Sequence, residues 1–368
     1  MRYIHENFLL NNKTAEVLFH EYAKNMPIID YHCHLSPKEV AEDKTYSSIT
    51  EAWLGGDHYK WRAMRSNGVA EEYVTGNAPD AEKFRKWAET LPYLMGNPLH
   101  HWAHLELKRF FGIDDVLGPD TADTIFEHCN EVLRQPDFTA RNLILRSRVE
   151  VVCTTDDPVD SLKYHRAIAA DPSFAVKVYP AFRPDKALSI LNPAFREYIS
   201  RLSDVSGLSI TDIDSLKTAI SRRMDFFAAN GCSISDHGLD PWVFSPAAAK
   251  NPALGEAVLK KVLAGGEASF DESVEYRTVV MIFLGQEYAR RGWVMQLHIG
   301  TQRNINSAMF SRLGPDTGFD TIADDVFGRA LAGMLDAIES SGGLPKTIVY
   351  NNNPRENEMI ASILGAFQ

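Results

Sequence analysis

The strongest constraint on the fold is a recurring pair of segments, a short apolar run followed by a helical pattern. Six runs rich in Val and Ile have this form: "PIIDYHCH" (27–34), "VEVVCTT" (149–155), "FAVKVYPAF" (174–182), "GCSISD" (231–236), "WVMQLHI" (293–299) and "KTIVYNN" (346–352). They are largely continuous rather than alternating, which predicts strands covered on both faces. Strands that alternate with helices favour an α/β fold with a parallel sheet, either a barrel or a doubly wound sheet.

The helical segments carry recognisable ends. "DSLKTAISRRMDFFAANG" (214–231) stops at a glycine, and "DESVEYRTVVMIFLGQEYARRG" (271–292) starts at Asp271 and stops at Gly292. No G-x-G-x-x-G opens a helix after a strand, which disfavours a dinucleotide-binding sheet. A barrel is therefore the predicted form.

One interval interrupts the alternation. Residues 36–145 are rich in Trp, His and charged helical sequence, and a structureless loop of that length does not fit inside a compact domain. We interpret it as a mostly helical insertion over the strand ends. The predicted organisation is a discontinuous barrel, 1–35 and 146–368, with the insertion 36–145 covering its mouth.

Charge and hydropathy exclude several classes of protein. The 38 basic and 49 acidic side chains give a net charge of −11, which argues against nucleic acid or an anionic membrane as partner. The N-terminus lacks the apolar segment of a signal peptide, and no apolar run approaches the roughly 18–20 residues of a membrane span.

The four cysteines have no paired spacing and are expected to be free thiols. We expect a cytoplasmic protein.

Three histidines at predicted strand ends suggest a metal site. In a strand, His32 and His34 would point to the same face, and His298 ends another predicted strand. In a barrel the carboxyl ends of all strands meet at one mouth, so three imidazoles could share a divalent metal, zinc first. The alternative is that these are ordinary hydrogen-bonded histidines, because H-x-H alone is a common pattern.

A second histidine cluster is weaker. His100 and His104 in "HHWAHLEL" have the spacing of metal ligands on a helix, but the glutamate of H-E-x-x-H is absent. We interpret this cluster as structural.

Several longer stretches resemble the uronate isomerases, which are aldose–ketose isomerases of the amidohydrolase superfamily. They are "PIIDYHCHLSPKEVAED", "TEAWLGGDHYKWRAMRSNGV", "PLHHWAHLELKRFFGI", "VEVVCTTDDPVDSLKYH", "YPAFRPDKAL", "GCSISDHGLD", "QLHIGTQRNIN" and "YNNNPREN". The resemblance spans essentially the whole chain. It implies a TIM-type (β/α)8 barrel with a helical insertion after strand one, and interconversion of D-glucuronate with D-fructuronate and of D-galacturonate with D-tagaturonate.

The resemblance also implies roles for individual residues. It assigns metal ligation to His32, His34 and His298, catalysis to Tyr59, His58 and Asp236, and substrate binding to Arg183, His237 and Arg303. The chemistry agrees with these residue types, because an arginine can hold the substrate carboxylate in a bidentate fork and an acid–base pair must move a proton. For the arginines the alternative is a surface salt bridge. For Tyr59 it is an amphipathic residue that caps the insertion.

Six predicted strands fall short of the eight that a barrel needs. The resemblance places an aspartate and a nearby arginine on an eighth strand, and neither has a counterpart here. An open six-stranded sheet would expose two unpaired edges. We expect a chain truncated after about six strands; the alternatives are a partner segment that completes the barrel, or two strands hidden in the insertion.

Other functions remain open from the sequence. A zinc hydrolase would use the same metal ligands, and a catalytically impaired barrel could serve as a scaffold. A flavin or nicotinamide oxidoreductase lacks a phosphate-binding signal. The expected partners are small uronate sugars and a second copy of the chain in a homo-oligomer.

Overall fold

A six-stranded parallel sheet forms the centre of the protein. The computed structural model describes residues 3–367. The strands are β1 (Ile28–Asp30), β2 (Val149–Asp156), β3 (Lys177–Phe182), β4 (Ile234–His237), β5 (Val294–Ile299), β6 (Thr301–Gln302), β7 (Thr321–Ile322) and β8 (Thr347–Asn351). The sheet has the strand order β1-β2-β3-β4-β5-β8, and β6 and β7 form a separate antiparallel pair.

Helices fill the intervals between these strands. The α-helices are α1 (Lys13–Val17), α2 (Pro37–Ala41), α3 (Ile49–Leu54), α4 (His58–Ser66), α5 (Asp80–Thr90), α6 (Pro98–Phe111), α7 (Ala122–Leu133), α8 (Ala140–Arg146), α9 (Lys163–Ala169), α10 (Asp185–Leu188), α11 (Phe195–Ser206), α12 (Ile213–Ala228), α13 (Pro246–Lys250), α14 (Ala253–Leu263), α15 (Phe270–Arg291), α16 (Ser307–Leu313), α17 (Gly328–Ser340) and α18 (Asn357–Leu364). A π-helix spans Leu18–Ala23, and 3-10 turns span Glu71–Tyr73, Leu91–Leu94 and Pro354–Glu356.

All six predicted strands are present, but the first is shorter than expected. β1 ends at Asp30, so His32 and His34 follow the strand instead of lying in it. The chain still runs beside β2, because the Cys33 amide donates to the Cys153 carbonyl over 3.0 Å. The prediction that His32 and His34 lie on one face of a strand was therefore wrong, because β1 ends before both residues.

Capping explains the long helix α15. Its N-cap is Ser269 and not the predicted Asp271: the Ser269 side chain accepts from the Glu272 amide, and the Glu272 carboxylate accepts from the Ser269 amide. The predicted stop at Gly292 is confirmed, because that residue adopts φ 67°, which glycine reaches without strain.

The apolar core is divided between two regions. One large cluster joins β3 and β5 to helices that include α12, α15 and α17, and contains Phe182, Met295 and Leu335. A second cluster lies wholly within 49–138 and is built around Phe84 and Trp87. The segment between β1 and β2 therefore has an apolar cluster of its own. Its arrangement as an insertion over the mouth of a barrel stays a prediction. Its separate status as a domain stays a prediction.

Contacts far apart in sequence join this helical segment to the loop after β5. Arg62 Nε donates to the Gly318 carbonyl over 3.2 Å, and Arg65 Nη1 donates to the Thr317 carbonyl over 2.5 Å. The Arg65 guanidinium also lies 4.4 Å from the centre of the Phe319 ring. Helix α4 is therefore attached beside the carboxyl ends of the strands.

The sheet has two edges. In the described part of the chain, β1 and β8 each pair with one neighbour, and Ile28 and Ile29 of β1 are 45% and 51% exposed. No helix within residues 3–367 is both long enough and apolar enough to cross a membrane.

Candidate metal and substrate site

Three side chains converge at the carboxyl ends of β1, β4 and β5. His32 follows β1, Asp236 lies in β4 and His298 lies in β5, and one ligand atom from each lies within 4.8 Å of the others. His298 Nε2 is 2.8 Å from Asp236 Oδ1, and His32 Nδ1 is 3.9 Å from the same oxygen. Two imidazoles and a carboxylate form a typical donor set for a divalent transition metal.

The polar atoms at this convergence are buried without hydrogen-bond partners among the described residues. They are His32 Nδ1, both carboxylate oxygens of Asp236 and His298 Nε2. The 2.8 Å approach of His298 to Asp236 is close enough for a hydrogen bond but lacks its alignment. Buried polar atoms are normally satisfied, so this arrangement fits a cation held between them.

Protonation favours metal binding as well. Burial lowers the pKa of His32 to about 4, although the Asp236 carboxylate opposes the shift. Burial would raise the pKa of Asp236, but His298 and Arg183 outweigh it and hold the pKa at about 2. At neutral pH the site therefore presents a neutral imidazole and a carboxylate, the forms in which these groups bind metals.

The charge balance points the same way. Arg183 Nη1 lies 3.2 Å from Asp236 Oδ2, and Arg183 Nε donates to Asp185 Oδ2 over 3.0 Å. One guanidinium faces two carboxylates, which leaves a surplus of one negative charge in a largely buried site. A cation between His32, Asp236 and His298 would compensate it.

His34 lies next to this donor set but outside it. Its ring centre is 5.1 Å from that of His32. The three converging donors include Asp236, which the sequence placed among the catalytic residues, in place of His34. Ligation by His34 stays a prediction.

Tyr59 and His58 begin helix α4. The Asp57 carboxylate caps the helix by accepting from the Tyr59 and Lys60 amides, each over 3.0 Å. The Tyr59 ring is 60% exposed and its centre lies 4.4 Å from that of His58. Burial lowers the pKa of His34, and Arg183, with smaller contributions from His298 and His58, lowers it further. The Tyr59 phenol is accessible to solvent.

His237 is held among protein groups, and its predicted role in substrate binding stays a prediction. It is fully buried; its Nδ1 lies 3.1 Å from Asp185 Oδ1 and its Nε2 lies 3.0 Å from the Tyr288 hydroxyl. Both ring nitrogens of His237 therefore have protein partners. Asp236 and His237 are neighbours in β4, so their side chains point in opposite directions, and only Asp236 faces the metal-type donors. His237 supports the site from behind.

Arg303 lies beside the site on the far side of Gly238. Its Nη1 donates to Asp320 Oδ2 over 3.1 Å, and the side chain is 42% exposed. A Cβ on Gly238 would overlap Arg183 Nη2 and lie 3.7 Å from Arg303 Nη2. The absence of a side chain at Gly238 lets the two guanidinium groups approach one another.

Sequence reasoning missed two side chains that support the site. The Tyr350 ring stacks on the His298 imidazole, and its hydroxyl donates to Gln296 Oε1 over 2.5 Å. Asp185 connects Arg183 to His237. Each lay in a quoted motif, "KTIVYNN" and "YPAFRPDKAL", but nothing in either motif indicated which neighbour it would contact.

The second histidine cluster is structural, as interpreted. His104 Nδ1 lies 2.6 Å from the His100 carbonyl, and His104 Nε2 accepts from the Leu117 amide over 3.0 Å. His100 Nδ1 lies 2.9 Å from the Leu91 carbonyl. These bonds occupy both nitrogens of His104 and hold α6 to its neighbouring turns.

The fold and the site together define a class: an α/β enzyme whose metal-type donors and arginines gather at the carboxyl ends of a parallel sheet. The sequence profile of a family described as glucuronate isomerase matches residues 1–368. The chain therefore belongs to the glucuronate isomerase family, and it is an isomerase.

Individual relatives agree with this placement. The chain is 50% identical over 367 residues to a uronate isomerase of Caldicellulosiruptor bescii, and 51% identical over 367 residues to a uronate isomerase of Caldanaerobacter subterraneus subsp. tengcongensis. Each alignment covers 100% of this chain and 78% of the relative.

A solved structure has the same fold. The crystal structure of a uronate isomerase from Thermotoga maritima superposes with a TM-score of 0.92 at 33% identity, over 100% of this chain and 79% of that one. A glucuronate isomerase from Caulobacter crescentus, 24% identical, superposes with a TM-score of 0.86 over 96% of this chain and 75% of its own, which supports the fold.

Proposed function

We propose that this enzyme interconverts D-glucuronate with D-fructuronate and D-galacturonate with D-tagaturonate. The observation that carries the proposal is the juxtaposition of a metal-type donor set and an arginine. His32, Asp236 and His298 lie within ligand distance of one another, and Arg183 is 3.2 Å from Asp236. A uronate offers oxygens at its reacting end and a carboxylate at the other, so it needs both kinds of group.

The reaction redistributes two hydrogens and needs no external oxidant. The C2–H bond of the open-chain sugar breaks, a base accepts that proton, an acid donates a proton to the C1 aldehyde oxygen, and an enediol forms across C1 and C2. A proton then adds to C1 while the C2 hydroxyl loses its own, which leaves a ketone at C2 and a hydroxymethyl group at C1. The protein must supply an acid–base group and must stabilise negative charge on the enediol oxygens.

Tyr59 and His58 are the proposed proton-transfer groups. They lie at the exposed start of α4, where an incoming sugar can reach the Tyr59 hydroxyl. Asp236 is a weaker candidate for the base, because a carboxylate with a pKa of about 2 accepts protons poorly at neutral pH. Its proposed role is metal ligation.

The proposed metal is zinc, held by His32, Asp236 and His298, with His34 as a further candidate ligand. When bound, a divalent cation polarises a carbonyl and stabilises negative charge on oxygen. Asp236 also holds Arg183 beside the donor set through their 3.2 Å contact. These residues would hold a cation and the Arg183 guanidinium in a fixed relation to one another.

The substrate carboxylate is proposed to bind Arg183 and Arg303. The two side chains face one another across Gly238, and Arg183 Nη2 points toward that glycine. Arginine suits this role because its planar fork can donate two parallel hydrogen bonds to one carboxylate.

The wider proposal concerns the fold and its surroundings. The six parallel strands are taken to be part of a TIM-type (β/α)8 barrel, with residues 36–145 as a helical insertion above its mouth. The contacts of Arg62 and Arg65 with the loop after β5 support that placement. We further propose a cytoplasmic homo-oligomer, to be tested by light scattering coupled to size-exclusion chromatography.

The test is ketose formation from D-glucuronate by this chain supplied with zinc. Fructuronate should accumulate, and His32→Ala should abolish both activity and stoichiometric zinc. His101→Ala removes a half-buried histidine of α6 that is not among the metal-type donors. It is the matched control and should behave as wild type. Product formation by His32→Ala at the wild-type rate would refute the assigned site.

A further inference from the structure

Asp185 contacts Arg183, His237 and the Gly238 amide, and the proposed mechanism gives it no part in catalysis or metal ligation. It lies at the start of α10, three residues after β3, and only 17% of its side chain is exposed. Its oxygens accept from Arg183 Nε, over 3.0 Å, and from the Gly238 amide, over 2.8 Å. The same carboxyl group lies 3.1 Å from His237 Nδ1.

We propose that Asp185 is the positioning residue that holds Arg183 in the conformation that binds the substrate carboxylate. This inference rests on the proposed function, because it assumes that Arg183 receives that carboxylate. Asp185 does not reach the reacting atoms. It acts through Arg183.

The contacts of the Asp185 carboxylate fix the orientation of the Arg183 guanidinium. Asp185 Oδ2 takes the Arg183 Nε hydrogen and the Gly238 amide hydrogen together, so it fixes the guanidinium relative to the end of β4. Asp236 holds Nη1 from the other side at 3.2 Å. The edge of the guanidinium that carries Nη2 then faces Gly238, where a side chain would collide with it.

A buried relay holds Asp185 itself in place. His237 Nδ1 faces the carboxylate and His237 Nε2 faces the Tyr288 hydroxyl at 3.0 Å, and both His237 and Tyr288 are fully buried. Burial alone would raise the pKa of Asp185, but His237, Arg183 and the Gly238 amide outweigh it and lower the pKa. Asp185 is therefore a carboxylate when the site works.

Fixing an arginine before the substrate arrives removes an ordering cost from binding. An arginine side chain loses rotamer freedom when it is ordered, and its fork binds a carboxylate well only in one orientation. Loss of the positioning group should therefore weaken carboxylate binding and leave the chemical step nearly unchanged.

The experiment is a double-mutant cycle with Asp185→Asn, Arg183→Ala and the double variant. Asparagine keeps the shape of the side chain and removes its charge. Two readouts are used: initial rates with D-glucuronate, and calorimetric binding of D-glucarate, which carries the same carboxylate but has no aldehyde to isomerise. Zinc content and melting temperature are measured for each protein. Asp171→Asn, which removes a carboxylate that pairs with Arg141 in the turn before β3, serves as the matched control.

Asp185→Asn should raise both the KM for D-glucuronate and the Kd for D-glucarate by about 10-fold, with kcat within about threefold of wild type and zinc content unchanged. In the Arg183→Ala background the same substitution should change the Kd less than about twofold. Asp171→Asn should leave the KM and the Kd near those of wild type.

If Asp185→Asn weakens D-glucarate binding equally in the wild-type and Arg183→Ala proteins, Asp185 acts on the structure generally and not through Arg183. If Asp185→Asn leaves the Kd for D-glucarate unchanged, Asp185 has no effect on binding. Either result overturns the inference. If wild type binds D-glucarate but does not isomerise D-glucuronate, the proposed function fails while the cycle still tests Asp185. If wild type does neither, both proposals fail.

Discussion

The Tyr350 ring lies flat against the His298 imidazole, with ring centres 4.4 Å apart and planes inclined by 16°. The Tyr350 hydroxyl is held in turn by Gln296, two residues before His298 on the same face of β5. Neighbouring strands β5 and β8 thus fix the plane in which the imidazole can present its nitrogen.

Removing this ring should loosen His298. Tyr350→Ala should weaken zinc binding about 10-fold, the low end of what is found when groups that orient a metal ligand are lost. Tyr350→Phe keeps the stacking and loses only the bond to Gln296, so it should have the smaller effect. Zinc affinity is measured by competition with a chromophoric chelator; equal losses in the two variants would contradict the role of stacking.

Metal binding should stabilise the fold, because the ligands come from three separate strand ends. A chelator first removes bound metal from the protein. Zinc added back at 100 times its Kd should then raise the free energy of unfolding by about 2.7 kcal/mol. Asp236→Asn should show almost none of this gain, since it removes a charged ligand. Denaturant unfolding with and without zinc measures the difference, with His101→Ala as control. A full gain in Asp236→Asn would remove Asp236 from the ligand set.

Gly231 should tolerate no side chain. It adopts φ 88° in the turn before β4, and a Cβ there would overlap the Tyr179 ring. Gly231→Ala should cost about 2–4 kcal/mol in unfolding free energy, from backbone strain and overpacking together. Gly207 adopts φ 66° with open space around it, so Gly207→Ala should cost only about 1 kcal/mol. Equal costs at the two positions would show that the Tyr179 contact is unimportant.

Asp156 should make stability depend on pH. Burial raises the pKa of Asp156 to about 7, against the opposing hydrogen bond from Thr154 Oγ1. Between the ordinary aspartate pKa of about 4 and pH 7, the folded state holds more protons than the unfolded state, so stability is greatest below this window and falls as pH rises through it.

Asp156→Asn removes the titration and keeps the shape of the neutral side chain. The variant should match wild type near pH 4 and exceed it by about 2–4 kcal/mol at pH 8. Asp214, whose side chain is 96% exposed, provides the control: Asp214→Asn should follow wild type at every pH. Parallel curves for wild type and Asp156→Asn would refute the raised pKa.

The sequence predicted those parts of the fold that depend on local pattern. The six strands were visible because each is a short Val/Ile-rich run, and Gly292 marked the end of α15 because few other residues adopt its backbone conformation. The short β1 was not predicted, because the pairing with β2 that ends at Asp30 depends on where two distant segments meet.

The sequence also predicted only those parts of the site that depend on local pattern. His32 and His298 could be placed at strand ends from their own runs. The orientation of Asp236 toward them, and of His237 away from them, follows from the register of β4 against its neighbours. Asp185 and Tyr350 act through single contacts across the structure, which no spacing within a motif encodes.

The attachment of α4 to the loop after β5 has a consequence for how substitutions act at a distance. Gly318 adopts φ 94°, and a Cβ there would lie 2.8 Å from the His58 carbonyl and 3.0 Å from Arg65 Nη1. A methyl group at residue 318 would push on the first turn of a helix that begins 260 residues earlier. The position of α4, and with it that of Tyr59, therefore depends on a glycine in a different segment of the chain. A substitution at Gly318 would displace α4 without changing any residue of that helix.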